Sequence, residues 1–256
     1  MRASRAVANG LAAPMVAVGF LTVIPIPLPS SVALGPMGWA IACFPLVGAA
    51  VGGLAGAVGL SLSGWLPPSV LAAIVLVTAL ATTGALHLDG LMDCCDGLFG
   101  GKDRDSRMAI MKDSRVGSFG IAAAVSVLLL EYGAIAALSP ESGLRALVAA
   151  GALSRGAMAV ALAAFPAAGA TGIAAGLKPQ LRWYHTAVAA LLAVVMAAGV
   201  VGAIGLAASA AVALLVAAIG GLAKIRIGGI TGDVCGGIGQ LAEAVVLVLT
   251  VGMRAG

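Results

Sequence analysis

Long uncharged apolar runs, broken by short polar or proline-bearing stretches, occupy most of this chain. From Ala6 to Leu88 there is no Asp, Glu, Lys or Arg. The runs are rich in Ala, Leu, Val and Gly and lack strand-period alternation, so helices rather than a barrel should cross a bilayer. The pattern predicts spans over about 39–60, 69–86, 117–138, 143–165, 185–201, 205–222 and 238–251. The apolar stretch 186–222 exceeds one crossing of about 20 residues, and a split falls near Gly202–Gly205. Upstream, the run from Leu11 to Ile24 ends at Pro25, Pro27 and Pro29, which cannot continue a helix. That predicts an interfacial or re-entrant helix followed by an extended strap. Arg2, Arg5 and the small-residue triplet Ser31-Val32-Ala33 also resemble a signal peptide with its cleavage site. Gly48, Gly52 and Gly56 recur every four residues, a spacing that suits close helix packing. The expected fold class is all-α: a polytopic integral membrane helical bundle of about seven spans plus the N-terminal helix, with residues 1–256 forming a single membrane domain.

Composition agrees. Of 256 residues, 61% are hydrophobic and 9% charged, with a mean hydropathy of +1.13; soluble domains carry about 25% charge. The positive-inside rule places the cations of segment 87–120 in the cytoplasm, together with Lys178, Arg182, Lys224 and Arg226. The cation-free turns at 61–68 and 139–142 fall outside. The count closes if the N-terminal run does not cross. Trp39, Trp183 and Tyr184 then mark the inner interface and Trp65 the outer one. The net charge of +4 reads as loop topology. No basic patch is interleaved with aromatics, so nucleic acid is excluded as a partner; the lipid bilayer is expected and a homo-oligomer is left open. Cys43, Cys94, Cys95 and Cys235 read as small buried hydrophobes, and the vicinal pair lacks zinc-site spacing.

The segment 87–120 breaks this apolar pattern. It holds six of the ten acidic residues and five of the fourteen basic ones. Asp89, Asp93 and Asp96 are spaced i, i+4, i+7, within a stripe of about 60° on one helical face. No Lys or Arg lies between residues 89 and 101. Unpaired carboxylates at a membrane edge are costly, and a hard all-oxygen set points to Mg²⁺ or Mn²⁺ rather than Zn²⁺. The competing reading is a solvated helix end. Gly90 and Gly97 would give a ligand room near the backbone. Asp103, Arg104 and Asp105 read as ordinary loop. Lys112, Asp113, Ser114 and Arg115 precede a new span; Lys112, Arg115 and that helix's N-terminal amides would form an anion site, with Asp113 as a further ligand. Metal, cations and helix amides together suit a pyrophosphate and phosphoryl transfer.

Three other polar spots stand in apolar surroundings. Ser154-Arg155 lies inside a predicted span, where an Arg is a functional candidate. Thr231, Asp233, Gln240 and Glu243 open the last span; Asp233, Gln240 and Glu243 share a face only if the helix starts near 233, and a capped helix with snorkelling polar groups is the competing account. His87 suits an interface histidine or a catalytic base equally, while His185 reads as interfacial.

These residues carry a resemblance. Phe20-Leu21-Thr22 with Pro25 and Pro27, Cys43-Phe44-Pro45-Leu46-Val47-Gly48, the HxDGxxDxxDG pattern from His87 to Gly97, the RxxIMKDSxxGxxG run from Arg107 to Gly120, Ser154-Arg155, and Thr231-Gly232-Asp233 with Glu243 resemble, in order, the motifs of the cobalamin synthase family, the adenosylcobinamide-GDP ribazoletransferases. Val23 stands where that family has Arg. Because the match includes Phe20–Pro27, it argues against a cleaved leader. The resemblance implies a Mg²⁺-dependent inner-membrane enzyme, multi-pass, with its active site facing the cytoplasm. It would join adenosylcobinamide-GDP to α-ribazole or its 5′-phosphate and release GMP. Asp89, Asp93 and Asp96 would hold the metal. His87, Asp89, Asp93, Asp96 and Asp113 would be catalytic, one Asp or His87 taking the hydroxyl proton. Lys112, Ser114, Arg115, Arg155, Thr231, Asp233 and Glu243 would bind substrate. Two alternatives compete. Asp93, Asp96 and Gly97 also resemble the opening of the CDP-alcohol phosphotransferase motif, whose later elements are missing at the required spacing. A transporter could use intramembrane carboxylates, but no internal repeat supports it.

Overall fold

The computed structural model describes residues 2–27 and 37–253, with side chains from Ala12 onward. The expected signal-type cleavage site, Pro29 of the strap and the side chains of Arg2 and Arg5 lie outside the described residues. Twelve α-helices follow one another: α1 (Arg2–Leu21), α2 (Met37–Ala42), α3 (Phe44–Leu62), α4 (Pro68–Thr83), α5 (Leu86–Gly100), α6 (Arg104–Ile110), α7 (Ser118–Ala137), α8 (Pro140–Ala164), α9 (Ile173–Leu177), α10 (Trp183–Val201), α11 (Ala203–Ile227) and α12 (Gly232–Gly252). Among the described residues there is no strand, only a bridge between Ala167 and Ile230. Among the described residues six helices are long and apolar enough to span, or seven if the bent pair α4–α5 is one span. The chain is therefore a multi-pass helical membrane protein. The apolar part of α1, Ala12–Leu21, is too short to count among these spans.

The bundle is centred on α8, whose middle is buried on all sides. Its main partner is α3, and glycines set the distance. A Cβ at Gly48 would sit 2.0 Å from the Gly151 carbonyl oxygen, and one at Gly52 2.0 Å from that of Leu147. The four-residue glycine repeat thus does what its spacing predicts.

Helix ends differ from the predicted spans for local reasons. The span expected over 39–60 is two helices, because Pro45 supplies no amide hydrogen and the chain restarts at Phe44 after Cys43. The split at Gly202 falls where expected, at φ +63°. Helix α11 continues to Ile227, past its predicted end, since Lys224 and Arg226 suit a helix C-terminus and Gly228 caps it at φ +85°. Helix α12 begins at Gly232 rather than near 238, because the Thr231 hydroxyl accepts the Val234 amide at 3.1 Å.

One feature was not predicted. After α4 the chain takes two left-handed residues, Gly84 (φ +61°) and Ala85 (φ +57°), and α5 leaves at 86° to α4. Ala85 is the one non-glycine at positive φ among the described residues, a conformation costing about 1 kcal/mol. The strap holds this corner: the Val23 amide donates to the Thr82 carbonyl at 3.0 Å.

The cationic segments meet at the end of the bundle that α5 occupies. Arg104, expected to be plain loop, donates to the carbonyls of Ile227 (3.0 Å) and Ala168 (2.5 Å). Arg107 donates to Arg226 O at 3.3 Å, and Arg226 to Leu98 O at 3.0 Å. Lys178 donates to the last carbonyls of α8, including Leu162 O at 3.0 Å. Trp39, Trp183 and Tyr184 cluster around His185 there. His185 is no surface ornament: it is buried, and its Nδ1 accepts the Arg182 amide at 3.1 Å. The turns near Leu66 and Ser139 close the opposite end around an apolar cavity of about 210 Å³.

Candidate active site

Helix α5 carries its three aspartates into different surroundings. Asp89 is exposed, Asp93 half-buried and Asp96 buried. The cause is packing: α5 lies against α12 on one side and α7 on the other, so the acidic stripe is divided between them. The Asp96 carboxylate accepts the amides of Gly117 at 2.7 Å and Gly120 at 2.8 Å. A Cβ at Gly117 or Gly120 would fall 2.3 or 2.4 Å from its oxygens, so the spacing of these glycines fits this seat. The anion that the N-terminus of α7 favours is thus the protein's own, and those amides are engaged rather than held open for a substrate.

Gly90 and Gly97 also serve packing, not ligand access. A Cβ at Gly90 would come within 3.0 Å of the Asp233 carbonyl oxygen, and one at Gly97 within 2.2 Å of Met111 Cγ. This close approach of α5 and α12 brings Asp233 beside the aspartates of α5. The charges of Asp89, Asp233 and Asp96 all act on Asp93, and that of Asp89 acts on Asp233. Among the described residues, neither Asp89, Asp93 nor Asp233 forms an ion pair, and no three His, Cys, Asp or Glu side chains close into a ligand shell. Asp233 accepts only the Thr231 hydroxyl from a side chain, at 3.3 Å.

The loop before α7 is arranged differently from expectation. Arg115 and Asp113, expected to serve an anion and a metal, hold each other: Nη2 lies 2.6 Å and Nε 3.1 Å from the carboxylate. The guanidinium and the Arg115 amide hold Asp113 down at about 2, and the carboxylate raises Arg115 above its ordinary value. Lys112 and Ser114 are exposed in the same loop.

Arg155 is only 4% exposed and His87 only 2%. One guanidinium nitrogen bonds Ser154 Oγ at 2.6 Å and Glu243, and the other lies 3.3 Å from His87 Nδ1. Arg155 and Glu243, expected at the substrate, engage one another inside the bundle. Next to them, Gln240 donates to buried Glu131 at 2.7 Å. Sequence reasoning passed over Glu131, although it is the one charged residue in the span predicted over 117–138, which is itself a signal.

Three cavities adjoin these groups. One of about 70 Å³ is lined by His87, Asp89 and Asp233. One of about 240 Å³ is lined by Lys112, Thr231 and Asp233. An open cleft of about 420 Å³ is lined by Asp96, Asp113 and Arg115. The first two share Ile173, Ala174, Gly232 and Asp233 as a common wall. Of the predicted residues, His87, Asp89, Asp96, Lys112, Asp113, Arg115, Thr231 and Asp233 thus line these spaces, while Arg155 and Glu243 do not.

Comparison with known proteins agrees with this layout. A family model described as Cobalamin-5-phosphate synthase matches residues 13–251. Relatives named adenosylcobinamide-GDP ribazoletransferase include one from Ralstonia pickettii, 36% identical over 243 residues and covering 90% of this chain and 91% of its own. One from Azorhizobium caulinodans is 41% identical over 219 residues and covers 80% of each. One from Klebsiella pneumoniae is 34% identical over 237 residues, covering 91% and 96%. No solved structure matches. With the match running through nearly every span and both acidic helices, the chain belongs to the cobalamin-5-phosphate synthase family and is a membrane enzyme of the transferase class.

Proposed function

We propose that this enzyme transfers the adenosylcobinamide phosphate group from adenosylcobinamide-GDP to α-ribazole or its 5′-phosphate. The observation that carries the reading is the trio Asp89, Asp93 and Asp233: carboxylates from two helices, without an ion-pair partner among the described residues, Asp89 and Asp233 lining adjoining cavities and Asp93 within reach of both charges. Their all-oxygen donor set and uncompensated charge fit Mg²⁺. Asp89, Asp93 and Asp233 would hold it by turning toward one ion, since they do not close into a shell as they stand, while Asp96, which the sequence also suggests, stays on its two amides. When bound, Mg²⁺ neutralises the diphosphate and eases departure of GMP.

The chain's own groups do the rest. Lys112, in the cavity that Asp233 also lines, binds the anionic oxygens. Asp96 fixes the start of α7 and with it the Lys112–Arg115 loop. A ribazole hydroxyl oxygen attacks the phosphorus nearer cobinamide, the bond from that phosphorus to the bridging oxygen breaks, and GMP leaves with that oxygen. The hydroxyl proton passes to a rim carboxylate. The cations around the site support a cytoplasmic orientation by the positive-inside rule, and the reading takes the membrane to be the inner one.

The test is direct. Purified enzyme in lipid nanodiscs should release GMP from adenosylcobinamide-GDP when α-ribazole and Mg²⁺ are present, and chelation should stop it. If no GMP is formed with either acceptor, the reading fails; solute flux across sealed vesicles would then support a transporter.

A further inference from the structure

The cavity of about 70 Å³ under Asp89 differs from its neighbours. Phe20, Phe44, Met158, Leu162 and Leu177 line it together with Asp89 and Asp233, and no Lys or Arg does. Phe20 and Phe44 are stacked, with centroids 5.7 Å apart and planes at 17°. Such a space repels a phosphate and admits the edge of a flat apolar ring. A corrinoid is far too large for it.

Asp89 and Asp233 stand at its edge, and one neutral polar side chain joins them in the wall. His87 is 2% exposed, and its Nε2 finds no hydrogen-bond partner among the described residues. Its other nitrogen, Nδ1, lies 3.3 Å from the Arg155 guanidinium. A guanidinium only donates, so Nδ1 must accept. A doubly protonated ring would set donor against donor. The proton of the neutral imidazole therefore sits on Nε2, and His87 lines the cavity as a donor. Ser154 and Glu243 hold Arg155 in place, so the tautomer is built in. A buried donor left unmade is costly, and in an apolar cavity without a partner it calls for an acceptor atom on a ligand.

We infer that this cavity seats the aromatic base of the acceptor nucleoside, with His87 Nε2–H donating to its unsubstituted ring nitrogen. The inference rests on the proposed transfer reaction, and it gives His87 a binding role rather than that of a base. It also divides the site: the diphosphate lies on the Lys112 side of Asp233 and Gly232, the acceptor ring on the Phe44 side, and the reacting hydroxyl meets the phosphorus at the rim carboxylates.

The experiment measures binding of α-ribazole alone to the full-length enzyme in nanodiscs, by fluorescence polarisation of the base, with GMP as a second ligand. His87→Phe keeps a ring and removes both nitrogens; it should weaken α-ribazole about tenfold, the worth of one neutral hydrogen bond, and leave GMP binding unchanged. An indole riboside, with C–H in place of the ring nitrogen, should lose the same factor on the wild type and nothing on His87→Phe. Equal losses on both proteins would overturn the inference. If His87→Phe loses GMP as well, it is misfolded, and Met158→Phe decides: it narrows the cavity without touching Arg155 and should weaken α-ribazole alone. Unchanged affinity in that variant overturns the proposal. Failure of the wild type both to bind α-ribazole and to release GMP would sink the transfer reaction itself, a separable outcome.

Discussion

Two groups of carboxylates lie within a few helical turns of each other and could hardly be treated more differently. Inside the bundle, Glu243 has Arg155 and Glu131 has Gln240. At the rim, Asp89, Asp93 and Asp233 have one another's repulsion and no cation. The inner group is largely shielded from water, Glu131 buried and Glu243 partly so, and an unpaired charge there would be strongly destabilising. The rim group is at least partly exposed and can wait for a ligand to complete it. Partnered charge is architecture here, and unpartnered charge is where the proposed chemistry lies. Asp96 stands between the two: buried like the first group, on the same helix as the second, and satisfied by backbone amides.

Breaking the inner group should have the largest effect. Arg155→Met strands Glu243 and should cost about 3–5 kcal/mol, seen as a collapse of the thermal midpoint in detergent. Adding Glu243→Met should recover much of it, and a harmless single variant would erase the distinction between the two groups. Asp93→Asn should instead leave the midpoint intact and cut GMP release by at least about a hundredfold; an active variant refutes the rim's role. Asp96→Asn tests the intermediate case. An amide nitrogen cannot accept, so Gly117 or Gly120 loses its partner, at about 1–3 kcal/mol, and both stability and turnover should fall. The smallest effect is expected at the exposed Asp113–Arg115 pair. The Asp113 carboxyl is depressed from 3.8 to about 2. Its contribution is therefore complete above the ordinary carboxylate range and lost only as pH falls through about 2. Over roughly pH 5 to 9, Asp113→Asn should leave the pH dependence of the midpoint unmoved, and a new step in that range would show the pair to be more than a loop clasp.

Much of this was legible in the sequence because it depends on local composition. The spans follow from apolar runs, the close packing of α3 from Gly48, Gly52 and Gly56, though not its partner α8, and the division of α10 from α11 from Gly202. That one segment gathers most of the charge could be read from the clustering of Asp and Lys/Arg residues. What escaped depends on partners distant in the chain. Spacing puts Asp89, Asp93 and Asp96 on one stripe, but only tertiary packing shows that α7 and α12 divide it. Arg155 could be singled out as an intramembrane cation, while its partner lies 88 residues away. The Gly84–Ala85 corner was hidden because alanine carries no signal for a left-handed turn. Arg104 was taken for loop because carbonyl acceptors leave no trace in side-chain chemistry.

That corner matters beyond the path of the chain. Helices that run straight through a bilayer tilt or slide when the hydrocarbon layer thickens or thins, and whatever is rigidly attached moves with them. Here α5 turns 86° away from α4 and packs against α12 and α7 instead. The proposed site is thereby uncoupled from α4, so lengthening the apolar run of α4 should leave turnover level.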